Sequence, residues 1–244
     1  MRIIATIEAR MTSTRLPGKV MLPVLGKPIL YYLVERLKKV PSIDDIVLAT
    51  TTNDTDNILV DFAKKENIKC FRGSEDDVML RVVEAAISEN ADVVVEITGD
   101  CPIIDPQIVE QTILMYKANN VDYVSNGHIR SFPDGMDTQV FSVDILKKSL
   151  SMTNNLLDHE HVTLHIRNNP ELFSRINIVA PPELEWPELG LTLDEEDDFN
   201  LIKLIIEHFN SKNPFFGCLD VVTFLKNRPD LVKINSNVIR KGNT

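Results

Sequence analysis

Through its first half the chain alternates short, nearly uncharged runs with longer amphipathic ones, and this alternation limits the fold more than any other feature. "RIIATI" (2–7) has the branched, apolar character of a buried strand. "PILYYLVERLKKV" (28–40) carries an apolar stripe of Ile29, Leu30, Leu33, Val34, Leu37 and Val40 at helical spacing, and Pro28 suits a first turn. The pattern repeats. A strand at 46–50 precedes a helix over 54–66, with Ile58, Leu59, Phe62 and Ala63 on one face. A strand at 68–71 precedes a helix over 76–90, with acids at its positive end. A strand at 92–98 precedes a helix opened by Asp105 and Pro106, and a further strand follows at 121–125. Strand and helix in regular turn with short connections predict an α/β fold, a parallel sheet with helices on both faces. Such sheets bind ligands beyond the carboxyl ends of their strands.

The regularity breaks near residue 126. "HIRSFPDGMDTQVFS" reads as a loop and a strand, "LLDHEHVTLHIRNNP" as a helix stopped by Pro170, and "SRINIVA" and "LGLTLD" as strands. A helix follows from Glu195. The expected organisation is one domain over 1–210 with an insertion at about 127–180, then a C-terminal helix and a fraying tail over 211–244.

Charge directs attention to one loop. The chain has 36 acidic and 26 basic residues, a net charge of -10, which argues against a partner that is a nucleic-acid polymer. Yet Ala9 to Val34 contains no acid and carries Arg10, Arg15, Lys19 and Lys27. With Thr12, Ser13 and Thr14 beside a strand-to-helix turn, this stretch suits a small phosphorylated anion. It is neither a P-loop nor a dinucleotide fingerprint, because the required glycines are missing. No apolar run near the N-terminus is long enough for a signal-peptide core or a membrane span. The three cysteines lie far apart. The expectation is a cytoplasmic protein with reduced thiols and no membrane association.

Asp100, in "TGDCP" at the end of the 92–98 strand, can hold a divalent cation that bridges phosphates. Asp194, in "TLDEEDD", can supply a second carboxylate or cap the helix that follows. "DHEHVTLH" fails the zinc-protease motif because Thr163 stands where the second His is needed, although His161 and His165 are spaced to share a helix face. Asp137 and Gln139, after the Pro-Asp-Gly turn, suit a polar ligand such as a sugar.

"ARMTSTRLPGKVMLPVLGKPIL" resembles the opening signature of the cytidylyltransferases that activate acidic sugars, the acylneuraminate and 3-deoxy-manno-octulosonate group. "FRGSEDDVMLR", "TGDCPIIDP", "DYVSN", "FPDGMD", "EHVT" and "LTLDEEDD" are similar to the spore-coat polysaccharide branch. The likeness covers about residues 1–205. It implies a Rossmann-like nucleotidyltransferase fold, a three-layer and mostly parallel sheet whose inserted segment shapes the acceptor pocket and builds a homodimer. It further implies CTP as donor, a sugar acid as small-molecule acceptor, and Mg²⁺ as cofactor. Carried over by motif, Arg10, Ser13 and Lys19 contact the triphosphate, with Ala9 in the same loop and Arg15 as helper. Arg72 and Ser74 fall where the family meets the nucleotide. Asp100 and Asp194 take the metal, and Arg10, Lys19 and Asp100 form the catalytic set. Asn126, Asp137, Gln139 and His161 fall on the acceptor side. Gln139 stands where many relatives have Glu. Another nucleotide, a non-sugar acceptor and a non-catalytic nucleotide-binding protein remain open as alternatives.

Overall fold

The computed structural model describes residues 1–240. Among the described residues nine strands form in chain order: β1 Ile3–Glu8, β2 Pro23–Val24, β3 Lys27–Pro28, β4 Asp45–Thr51, β5 Lys69–Gly73, β6 Val93–Thr98, β7 Tyr123–Ser125, β8 Gln139–Ser142 and β9 Arg175–Asn177. The helices are α1 Ile29–Leu37, α2 Asn57–Glu66, α3 Val78–Ser88, α4 Pro106–Ala118, α5 Val143–Met152, α6 Leu156–Glu160, α7 Leu164–Asn168, α8 Glu196–Asn210, α9 Cys218–Lys226 and α10 Pro229–Val232. Seven strands make one sheet in the order β5-β4-β1-β6-β8-β7-β9. β1 is parallel to both β4 and β6, as the alternating pattern requires. β8 departs from it. It runs antiparallel to β6 and to β7 and separates them. The segment 127–180, expected as an insertion, therefore contributes a strand to the middle of the sheet and β9 to its edge.

Side chains of β1, β4 and β6 alternate between two faces. On one, Ala5, Ile7, Leu48 and Val95 pack with Leu30, Leu33 and Leu37 of α1, Phe62 of α2 and Val109 of α4. On the other, Ile4, Val47 and Val94 pack with Met79, Val82 and Ala86 of α3, Leu146 of α5 and Ile166 of α7. A third cluster gathers α8 and α9 around Ile29, Tyr32 and Ile103. Arg36 of α1 is buried against it, donating to the Phe216 carbonyl at 2.8 Å and stacking on the Phe216 ring at 4.0 Å. Burial pulls its pKa down to about 10, against the opposing effect of Asp105.

Several expectations need correction. Ile58 does not join the α2 stripe and is 46% exposed. "LGLTLD" is not a strand. Gly190 alone bridges to Asp134, and the backbone NH of Leu193 is taken by the Asp100 carbonyl at 2.8 Å, so the stretch is fixed by loop contacts. The 156–168 region is two short helices rather than one, broken at Val162, whose φ is 36°. His161 and His165 therefore do not share a helix face. The C-terminal segment folds back onto the body as far as it is described. Arg240 pairs with Asp198 at 2.8 Å, and the expected fraying end, 241–244, lies outside the described residues.

Chain order β1, β4, β5 runs to one side of β1 and β6 lies on the other, so the strand order reverses between β1 and β6. That reversal opens a crevice at their carboxyl ends. Gly99 makes the close approach there possible. Its NH donates to the Glu8 carbonyl at 2.9 Å, and a Cβ at Gly99 would meet that same oxygen at 2.8 Å. Backbone cannot swing aside as a flexible side chain can. Gly99→Ala is expected to lower stability by about 1–3 kcal/mol. Thermal unfolding should show it, at roughly 2–4 °C of Tm per kcal/mol for a chain of this size.

Candidate active site

A cleft of about 400 Å³ opens at the crevice between β1 and β6. Ala9, Arg10, Ser13, Thr14, Arg15 and Lys19 from the loop after β1 line one side of it. Thr98, Gly99 and Asp100 line another, and Asp134, Asp137, Gln139, His161, Arg167 and Asp194 come from the later half of the chain. A roomier groove of about 590 Å³ lies against α4 near Pro41 and Leu114, with Lys39 and Glu110 as its charged lining.

The loop after β1 is held from beneath by a residue that the sequence did not single out. Asp56 is fully buried and accepts from the Met11 NH at 2.8 Å, the Thr50 hydroxyl at 2.8 Å, and the Thr51 NH and hydroxyl at 3.1 and 2.6 Å. Burial works against its charge, but these donors outweigh it and hold the carboxyl below the usual carboxylate range. Gly18, at a φ of 70°, supplies the left-handed turn that brings its NH to the Met11 carbonyl at 2.9 Å.

Lys19 sits at the centre. Its Nζ is 3.0 Å from Asp100 Oδ2 and 3.0 Å from Asp194 Oδ1, and its side chain is only 12% exposed. Lys19 is thus largely buried. Burial disfavours its charge, but the two aspartates prevail and push its pKa above the ordinary lysine value. Burial likewise opposes the Asp100 charge, and Lys19 with the Thr98 hydroxyl at 2.6 Å more than offsets it, leaving the pKa lowered. Arg15 meets Asp194 Oδ1 at 2.7 Å. Asp194 is not the helix cap. Glu195 caps α8 in a reciprocal arrangement with Asp198, whose Oδ2 takes the NH groups of Asp194 and Glu195. The Asp194 carboxylate is thereby left to face the cations.

The acid-free stretch thus finds acids from distant parts of the chain. Arg10 pairs with Glu75 at 3.2 Å. Glu75 also accepts from Thr12 at 2.5 Å and Asn53 at 2.6 Å, and those hydrogen bonds lower its pKa. Lys27 lies apart from the cleft, over the Tyr31 ring at 4.8 Å.

The remaining expected residues divide. Arg72 and Ser74 are not among the cleft-lining residues. Arg72 donates to the carbonyls of Thr51 and Asn53 and to Asn57 Oδ1, bracing the 51–57 loop. The Ser74 hydroxyl accepts from the Asp77 NH at the start of α3. Asn126 is buried and spends its amide on the Met136 carbonyl and the Thr138 NH, so it shapes the 136–138 turn from behind. Asp137, Gln139 and His161 do reach the cleft. Burial and the nearby Asp134 push Asp137 up to about 6. Gln139 donates to Glu96 and accepts from Tyr123 at 2.5 Å and from Thr163. His159 turns instead to Asp77 at 2.8 Å, and His165 to Asp158 at 3.5 Å. Sequence reading missed Arg81, Glu96, Asp134 and Arg167, which lie inside regular elements or turns and acquire their setting only in the fold.

Asp56→Asn would set a new N–H among donors. It is expected to cost about 1–3 kcal/mol at neutral pH. A group with a depressed folded pKa adds stability above its unfolded value of about 3.9 and loses it as pH falls through the folded one. The stability gap between wild type and Asp56→Asn should therefore narrow as urea melts are moved from pH 6 towards acid.

The family model described as "Cytidylyltransferase" matches residues 4–214. The spore coat polysaccharide biosynthesis protein SpsF of Bacillus subtilis is 33% identical over 234 residues, covering 93% of this chain and 95% of that protein. A 3-deoxy-manno-octulosonate cytidylyltransferase of Geobacter metallireducens is 25% identical over 213 residues, covering 77% and 83%. A solved cytidylyltransferase from Leptospira borgpetersenii superposes with a TM-score of 0.91 at 31% identity, covering 98% of this chain and 99% of that one. Among the described residues no helix is long and apolar enough to cross a membrane. A mostly parallel sheet with a charged cleft at its strand reversal, matched over nearly its whole length by these relatives, identifies the chain as a member of the cytidylyltransferase family, a CTP-dependent nucleotidyltransferase.

Proposed function

We propose that the chain transfers CMP from CTP to a sugar acid and releases pyrophosphate. The observation that carries the reading is the Asp100–Lys19–Asp194 contact at the carboxyl edge of the sheet, with Arg10 and Arg15 beside it. An acceptor hydroxyl attacks the α-phosphorus of CTP. The new P–O bond forms as the bond to the bridging oxygen breaks, and pyrophosphate leaves. Lys19, Arg10 and Arg15 take up charge on the phosphates, with Ser13 and the Ala9 backbone beside them. Asp137, with its pKa at about 6, is basic enough at pH 7 to receive the hydroxyl proton. Gln139 and His161 contact the acceptor.

Mg²⁺ fits the donor set. Asp100 and Asp194 each place a hard carboxylate oxygen 3.0 Å from Lys19 Nζ, and two such carboxylates suit a cation whose shell phosphates complete. When bound, the ion would neutralise phosphate charge. The acceptor class is supported by the 3-deoxy-manno-octulosonate cytidylyltransferase among the relatives. We also propose a cytoplasmic homodimer built through segment 127–180, which leaves Ile129, Leu157 and Val179 more than half exposed and Leu156 83% exposed. Light scattering should give twice the chain mass, and Leu156→Glu should shift it towards the monomer.

The deciding experiment offers CTP, ATP, GTP and UTP with a panel of sugar acids, reading pyrophosphate and the mass of any conjugate. Turnover best with a purine nucleotide, or with none of the acids, would overturn the reading. Lys19→Ala should lower kcat about ten- to a hundredfold, the worth of a charge-assisted phosphate contact. It should also lower Tm, because Asp100 and Asp194 would lose their shared ammonium. Mn²⁺ binding in the presence of CTP, followed by electron paramagnetic resonance, should weaken in both Asp100→Asn and Asp194→Asn. Undiminished binding in Asp194→Asn would leave Asp100 as the protein's ligand.

A further inference from the structure

The inner end of the cleft holds polar atoms that the protein itself leaves unsatisfied. Both carboxyl oxygens of Glu8 are buried with no donor at full hydrogen-bonding geometry, although the Thr6 hydroxyl and the Glu96 carboxyl lie close enough to interact with them. The Nε atoms of Arg81 and Arg167 are buried and unpartnered as well. All four side chains, Glu8, Arg81, Glu96 and Arg167, line the cleft, and Arg81 is 2% exposed. Their positions follow from the fold. Glu8 ends β1, Glu96 lies in β6 in register with Thr6, and Gln139 of β8 is in register with Glu96. By alternation Glu8 and Glu96 project on the sheet face that also carries Ile4 and Val94, the face covered by α3 and α7. Arg81 and Arg167 come from those two helices.

Arg81 and Glu8 are electrostatic neighbours, as are Arg167 and Glu96, yet no ion pair closes either gap among the described residues. Burying a polar atom unpaired is costly, so an occupant of this recess gains by pairing it. The unpaired atoms are of both kinds. A carboxylate or phosphate, which only accepts, would satisfy the arginines but meet Glu8 only when Glu8 is protonated. An ammonium, which only donates, would do the reverse. A hydroxyl donates and accepts at once.

We infer that this recess reads hydroxyl groups of the acceptor, with Glu8 accepting from a hydroxyl whose oxygen accepts from Arg81 Nε, and with Glu96 and Arg167 serving a neighbouring hydroxyl. A hydroxyl suits Glu8 in either protonation state. Glu8 and Arg81 then determine specificity for a polyhydroxylated acceptor, and Gln139 fixes the Glu96 carboxyl through its hydrogen bond. The inference rests on the acceptor reading of the previous subsection and names which residues recognise that acceptor.

The test uses the full chain as wild type, Glu8→Met and Glu8→Gln. Thermal unfolding is measured without ligand, and steady-state kinetics with CTP and each of three probes, 3-deoxy-manno-octulosonate, N-acetylneuraminate and glucuronate. Glu8→Met removes an unpaired buried carboxyl and keeps its bulk, so Tm should rise. The acceptor KM should rise at least about tenfold while the CTP KM stays within about twofold. Glu8→Gln, whose amide donates and accepts, should recover most of the acceptor KM. A fall in Tm of Glu8→Met would make Glu8 a structural brace and overturn the inference whatever the kinetics. A stabilised Glu8→Met with an unchanged acceptor KM would overturn it equally. Turnover of none of the three acids by wild type would instead overturn the acceptor reading, and the recess as an acceptor subsite with it.

Discussion

One ammonium group joins the parts of this site. Lys19 Nζ meets Asp100 from the end of β6 and Asp194 from the loop before α8. Three segments far apart in sequence therefore share a single charge. Each partner alone would be costly to bury, and Lys19 and Asp100 hold one another ionised. The arrangement also sets the chemistry that can follow. A phosphate chain entering the cleft competes with the aspartates for Lys19, and a cation competes with Lys19 for the aspartates. On the proposed reading, a triphosphate carrying a divalent cation would satisfy both sides in one event.

The loops around this contact are held by buried carboxylates rather than by apolar packing. Asp56 gathers four donors beneath the first loop, and Asp198 gathers the NH groups of Asp194 and Glu195, the Asn235 amide and Arg240. Asn126 does comparable work with an amide at the 136–138 turn. Loops cannot pair their backbone groups as strands do, so a short acceptor side chain at the right depth substitutes for a ladder. The cleft can then be lined by charged side chains whose backbone does not wander. The exception is the inner recess, where Glu8 and Arg81 are buried without full pairing. Sites kept for a ligand commonly sacrifice stability in this way.

Much of the fold is legible in the sequence because burial repeats along it. Ile29, Leu30, Leu33, Val34 and Leu37 mark one face of α1, and the isoleucines of β1 mark a strand buried on both sides. The first loop, Asp100 and Asp194 are legible too, through an acid-free stretch in an acidic chain and through motifs shared with a family. Where the pattern is short, the reading fails. "LGLTLD" has the composition of a strand, but its NH groups find partners in two other loops. "DHEHVTLH" has helical spacing, but Val162 takes a left-handed conformation that splits it.

Periodicity and charge patterning are local properties of a chain, and they suffice for the class of sheet and for the edge at which the charged cleft opens. Long-range contacts settle the rest: β8 runs antiparallel through the middle of the sheet, Arg72 and Asn126 brace loops, Lys19 is shared by two aspartates, and Glu8 and Arg81 face one recess without closing an ion pair. Each of these depends on which distant groups a side chain meets. Strand registry and loop closure bring those groups together across separations of up to 175 residues, and local pattern does not encode such meetings.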